Sequence, residues 1–147
     1  METYEKTDNV VPWKWALRQY ESNSGRQAIA DFRKQMAQGR FKAALDTFLR
    51  TLAKQERWEP PHIKALTGEY SGLSELRWTA GQKEHRIIGY RIDDTKDGQH
   101  QYVMLISCTH KQRNYIPPNA LHTAKKRKAE IEKGVARINE YSLIADR

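Results

Sequence analysis

The chain has 147 residues, one domain's worth, and its 26 Lys and Arg against 18 Asp and Glu leave a formal charge of +8. That length excludes a multi-domain enzyme, and the longest apolar run, residues 103–108, is far short of the roughly 18 residues a membrane helix needs. The basic excess favours polyanionic partners, because each phosphate contact releases counterions; charge that merely aids solubility is the alternative.

The first residues, Met1-Glu2-Thr3-Tyr4-Glu5-Lys6, have neither the basic start nor the apolar stretch of a secretory signal. A single cysteine, Cys108, has no internal disulfide partner, so the expectation is a cytoplasmic protein in a reducing compartment with no membrane contact. Residues 1–12 are polar and unpatterned and predict a flexible lead-in. The domain is expected over 13–133, with 134–147 as a C-terminal extension.

Alternation of Trp13, Trp15, Leu17 and Gln19 with Lys14, Ala16, Arg18 and Tyr20 predicts a strand over 13–20. After the break Ser22-Asn23-Ser24-Gly25, the spacing of Ile29, Phe32 and Met36 predicts a helix that Gly39 stops. Phe41, Ala44, Leu45, Phe48, Leu49 and Leu52 form the strongest amphipathic pattern, a second helix over 41–57 that Pro60-Pro61 ends. The short link between them predicts a helical hairpin laid on a sheet.

A short segment at 63–66 precedes three strand candidates, 73–79, 84–92 and 102–110. The link containing Gly81 pairs Ala80 with Lys83 and so sets Arg77 opposite Arg86. A turn centred on Asp97-Gly98 sets Arg86 opposite Thr109. From Asn119, the pattern Leu121, Ala124, Lys128, Ile131, Val135, Ile138 predicts a last helix that Gly134 ends or bends. The whole reads as an α+β fold: one mostly antiparallel sheet of about four or five strands, an N-terminal helical hairpin packed on it and a C-terminal helix.

Like charges directly opposite on a sheet cost stability, so Arg77 facing Arg86 calls for an anion between them. A phosphate fits that role; so does Glu75, two residues from Arg77 on the same face. The run from His110 to Lys128 holds Lys111, Arg113, Lys125, Lys126, Arg127 and Lys128 without one carboxylate, with His110, Tyr115 and His122 interleaved. Such a run suits a phosphate backbone, with Tyr115 able to stack on an unpaired base, or else is a solvated helix face. Under these registers His85, Cys108 and His110 share the other sheet face, but no zinc-type spacing supports a metal site, and none is predicted.

Lys64-Ala65-Leu66-Thr67-Gly68 followed by Gly72-Leu73-Ser74-Glu75-Leu76-Arg77 resembles the K-x-L-x-G…G-L-x-E-L-R signature of the RelE/ParE/HigB toxin superfamily, in its HigB-like, phage-type branch. Arg86 early in the next strand agrees, and Lys111, Pro117, Ala124 and Arg127 resemble the ending of that family. Gln112, Tyr115, Gly89 and Asn119-Ala120-Leu121 depart from its pattern. The resemblance implies a RelE-like toxin domain of a type II toxin–antitoxin system, with a cognate antitoxin as partner.

It further implies a metal-independent endoribonuclease that cuts mRNA on the ribosome and inhibits translation, with no cofactor. Attack of a ribose 2′-hydroxyl on the adjacent phosphate needs a base, a stabiliser of the phosphorane charge and an acid. Arg77 and Arg86 suit the stabilising role, His110 or Lys111 the proton transfers, and Arg113, Tyr115, Lys125, Lys126, Arg127 and Lys128 the binding of RNA. Two alternatives stand beside this: a non-enzymatic, ParE-like gyrase inhibitor or inactive RNA- or partner-binding relative, and an RNA-binding module carried by the basic C-terminal run.

Overall fold

A computed structural model describes residues 13–96 and 98–143; the predicted lead-in lies outside them. Strand β1 (Trp15–Glu21) keeps the predicted alternation, burying Trp15, Leu17 and Gln19. Gln19 is a polar residue in a core position because its Oε1 accepts the N–H groups of Ile29 and Ala30, both at 2.9 Å. Those bonds anchor the start of helix α1 (Ala30–Lys34), which is shorter than its periodicity suggests.

Helix α2 (Gly39–Lys54) begins at the glycine predicted to stop its predecessor. Leu45, Leu49, Leu52 and Ala53 form its buried stripe. Arg33 grips Asp46 through Nε and Nη2 at 2.8 and 2.7 Å, tying α1 to α2 with a bidentate pair.

The sheet continues through β2 (Ile63–Ala65), β3 (Ser74–Ala80), β4 (Lys83–Lys96), β5 (Gln99–Lys111), β6 (Asn114–Ile116) and, after helix α3 (Ala120–Glu132), β7 (Arg137–Glu140). Its order is β2-β3-β4-β5-β1-β7, with β6 on β5; among the described residues only β1 and β5 pair in parallel. The fold is α+β and mostly antiparallel, but the described residues form seven strands where four or five are expected. The additions, β2, β6 and β7, are three or four residues long, too short to carry a readable period.

The last helix also ends sooner than predicted. Gly134 takes φ +77°, and Ile138 then pairs with Tyr20 in β7 instead of extending the helix. Part of the predicted C-terminal extension is therefore sheet, and Tyr141 and Leu143 join the core.

The β3–β4 register is as predicted, with Ala80 opposite Lys83 and Arg77 opposite Arg86. The β4–β5 register starts as predicted at Lys96 and Gln99 but shifts twice, so Arg86 faces Cys108 and not Thr109. In the second shift Gly89 pairs with Met104 and Ile88 with Ile106, leaving Leu105 as the extra residue of a β-bulge. Gly89 permits the tight approach: a Cβ there would lie 2.2 Å from the carbonyl oxygen of Val103.

Every side chain beyond the bulge is turned over relative to the prediction. The face under α1 and α2 holds Leu76, Trp78, Ile87, Tyr102 and Met104. Ile88, Val103, Leu105 and Cys108 pack on the other, against Ala120 and Ala124 of α3. Among the described residues no helix is long and apolar enough to cross a membrane.

Candidate functional site

On the α3 side of the sheet, the expected pair of opposed arginines is built around a buried carboxylate. Glu75 stands on β3 with its side chain 4% exposed, and its Oε2 accepts Nε and Nη2 of Arg77 at 2.9 and 2.7 Å. Its other oxygen accepts the Tyr115 hydroxyl at 2.6 Å and lies 3.8 Å from Nε of Arg86. The anion between the two arginines is thus the protein's own.

Arg86 is the more deeply held of the two, with its side chain 8% exposed against 33% for Arg77. Its Nη1 donates to the carbonyl of His85 at 3.0 Å and its Nη2 to Glu84 at 2.8 Å. Arg77 spends one edge of its guanidinium on Glu75, and Nη1 has no partner among the described residues. A fork held by one edge in this way is pre-oriented, with a donor left for an external anion.

The electrostatics follow from that packing. Burial raises the Glu75 carboxyl, but the Tyr115 hydroxyl and the two guanidinium groups outweigh it and hold the group below its ordinary range. Burial and then the hydrogen bond to Glu75 push Tyr115 upward, so its hydroxyl stays a donor. Burial likewise pushes the Cys108 thiol up to about 12, which makes it a core residue and not a nucleophile.

Because of the bulge, His110 lies on the same face as Arg77 and Arg86, at the position of β5 opposite Glu84, and its ring meets that of Tyr115 edge-on at 4.9 Å. Lys111, the next residue, points from the other face. The predicted grouping of His85 with Cys108 and His110 is overturned for the same reason. His85 lies on the helical-hairpin face, stacked on Trp78 at 4.2 Å, with its pKa lowered first by burial. Among the described residues no group of three or more His, Cys, Asp or Glu side chains is placed to hold a metal.

The predicted RNA-contact residues divide into three places. Arg113 is at the tip of the β5–β6 hairpin, where Gln112 and Arg113 both have left-handed backbone, φ 51° and 71°. Non-glycine residues pay for that conformation with about 1 kcal/mol each, and such strain collects at functional surfaces. Tyr115 is half-buried, with its hydroxyl committed to Glu75.

Helical geometry splits the four basic residues of α3. Lys125 and Lys126 are exposed, while Lys125 and Lys128 reach over the rings of Tyr70 and Tyr90 at 5.9 and 4.9 Å. Arg127 turns inward over Tyr20 at 4.8 Å and donates to the carbonyl of Leu105 at 2.7 Å. No sequence signal separates Arg127 from its neighbours, since the bulge it serves is a tertiary feature. The central role of Glu75 was present in the sequence only as a neutralising alternative.

The arrangement leaves a guanidinium donor at Arg77 on the same sheet face as the His110 imidazole, with strand β4 between them. Comparison with family models, with curated proteins and with solved structures returns no match to this chain.

Proposed function

We propose that the chain is the toxin of a type II toxin–antitoxin pair, an endoribonuclease of the RelE/ParE/HigB kind that cuts mRNA on the ribosome. The observation that carries this reading is the pre-oriented Arg77 with its uncommitted Nη1 on the same sheet face as His110. His110 takes the proton of a ribose 2′-hydroxyl as that oxygen attacks the adjacent phosphorus. Arg77 donates to the non-bridging oxygens as charge builds, and the protonated imidazole or water protonates the departing 5′-oxygen. The products are a 2′,3′-cyclic phosphate and a 5′-hydroxyl. Arg86 and Glu75 position Arg77, while Arg113, Lys125 and Lys126 draw in the RNA backbone.

The test is to map RNA 5′ ends in a reconstituted translation reaction, with and without ribosomes, for the chain and for Arg77→Ala. New ends that need both ribosomes and Arg77 support the nuclease. Their absence with folded protein overturns it.

One observation favours a second reading, a gyrase inhibitor or an inactive binder: Glu75 already neutralises both arginines. For that reading, the chain supports no cleavage, Arg77→Ala leaves growth arrest unchanged, and supercoiling by purified gyrase falls in its presence.

A further inference from the structure

Strand β3 begins at Ser74, paired with Gly89, whereas β4 runs on to Lys96 beside β5 alone. Past Gly89 the edge of β4 therefore has no β3 neighbour, and a cavity of about 850 Å³ opens there, closed on one side by the segment after α2. Its volume is in the range of small-molecule sites. It lies outside the Arg77–Glu75–Arg86 cluster.

One wall is aromatic. Trp58 stacks on Trp15 with centroids 4.0 Å apart and meets Tyr102 edge-on at 5.2 Å. Both indole N–H groups are used internally, Trp58 on the carbonyl of Leu52 at 2.7 Å and Trp15 on that of Glu56 at 3.3 Å. What half-buried Trp58 offers the cavity is therefore ring surface without a polar demand of its own. The rim supplies charge from two directions: Arg91 on β4, 5.6 Å over the Trp15 ring, and Lys128 on α3, which leans toward Gly72. Glu56 at the same rim is engaged by His100 at 2.7 Å.

An aromatic wall with Arg91 and Lys128 at its lip, next to Arg57 and Glu59, matches a planar base that carries a phosphate. We propose that this cavity binds a nucleotide, its base stacked on Trp58 and its phosphate between Arg91 and Lys128. Stacking tolerates every base, so the pocket selects the nucleotide class and not one sequence. The ligand is either a free mononucleotide or one unpaired nucleotide of an RNA, which share this chemistry. The site stands whether or not the chain cuts RNA.

The experiment is calorimetric titration of the full chain with AMP and, separately, with a six-residue oligoadenylate, repeated for Arg91→Ala and Trp58→Phe. Arg91 is exposed, so its variant keeps the fold even if changes at Trp58 do not. Saturable one-to-one binding weakened about tenfold or more by Arg91→Ala and several-fold by Trp58→Phe supports the pocket. Binding of AMP identifies a free nucleotide as sufficient, and binding of the oligomer alone identifies RNA as the source. No binding of either, or binding that both variants leave intact, overturns the proposal. The AMP titration involves no cleavage and is read through Arg91 and Trp58 alone, so failure of the nuclease reading and failure of the pocket are read separately.

Discussion

Arg127 on α3 donates from Nη1 to the carbonyl oxygen of Leu105 at 2.7 Å, and Leu105 is the extra residue of the β5 bulge. On the edge of β5 away from β4, backbone groups have no ladder partner between the end of β1 pairing at Met104 and the start of β6 pairing at Thr109. A partly buried guanidinium satisfies one of them, at the residue whose insertion puts His110 on the arginine face.

Arg127→Met is accordingly expected to destabilise the fold by about 1–3 kcal/mol, because the Leu105 carbonyl is left unpaired and the contact over Tyr20 is lost. Urea unfolding of the variant against the parent checks it. A loss no larger than that of Lys126→Met on the exposed side of α3 would show that the bulge does not need Arg127.

The Tyr115–Glu75–Arg77 cluster is expected to behave as one unit. Glu75→Ala leaves two arginines opposed without an anion and should cost about 3–5 kcal/mol, while Tyr115→Phe should cost about 1–2 kcal/mol. The double variant should lose clearly less than the sum of the two single losses, since both act on one carboxylate. Strict additivity in a double-mutant cycle would contradict the shared hydrogen bond.

Acid sensitivity follows from the same carboxylate. Its folded pKa is depressed, so its contribution is fully present above the unfolded value of about 4.3 and disappears as pH falls through the folded one. Between about pH 5 and 2 the parent should lose more stability than Glu75→Gln, which has no proton to take up. Parallel stability curves for the two proteins over that window would count against the assignment.

The β5–β6 hairpin tip offers a separation of stability from function. Gln112→Asn with Arg113→Gly replaces two left-handed residues by ones that adopt that conformation readily, and should raise stability by about 1 kcal/mol. The same change removes the Arg113 charge, so affinity for single-stranded RNA measured by fluorescence anisotropy should fall. A variant that is neither more stable nor weaker in binding would show the tip to be neutral on both counts.

Local patterns carried much of the fold. The stripe of Leu45, Leu49 and Leu52, the turn at Gly81 and the Arg77–Arg86 pairing were all legible, because each depends on residues close together in the chain. Glu75 between the arginines was legible as one of two occupants. The hydrogen bond from Tyr115, 40 residues away, was not, because it joins β6 to β3 across the sheet.

By itself the sequence determined that this is one basic α+β domain with opposed arginines on neighbouring strands, since charge, periodicity and tight turns are properties of short stretches. Only the tertiary structure decided which side chains share a face. One inserted residue, Leu105, inverts the parity of the rest of β5, brings His110 and Cys108 to the face of Arg77 and sends Lys111 to the other side, where His85 of β4 already lies. Alternation along a strand has period two, so a single bulge reverses every later assignment, and the contacts that hold this one, Gly89 against Val103 and Arg127 on Leu105, come from residues distant in the chain.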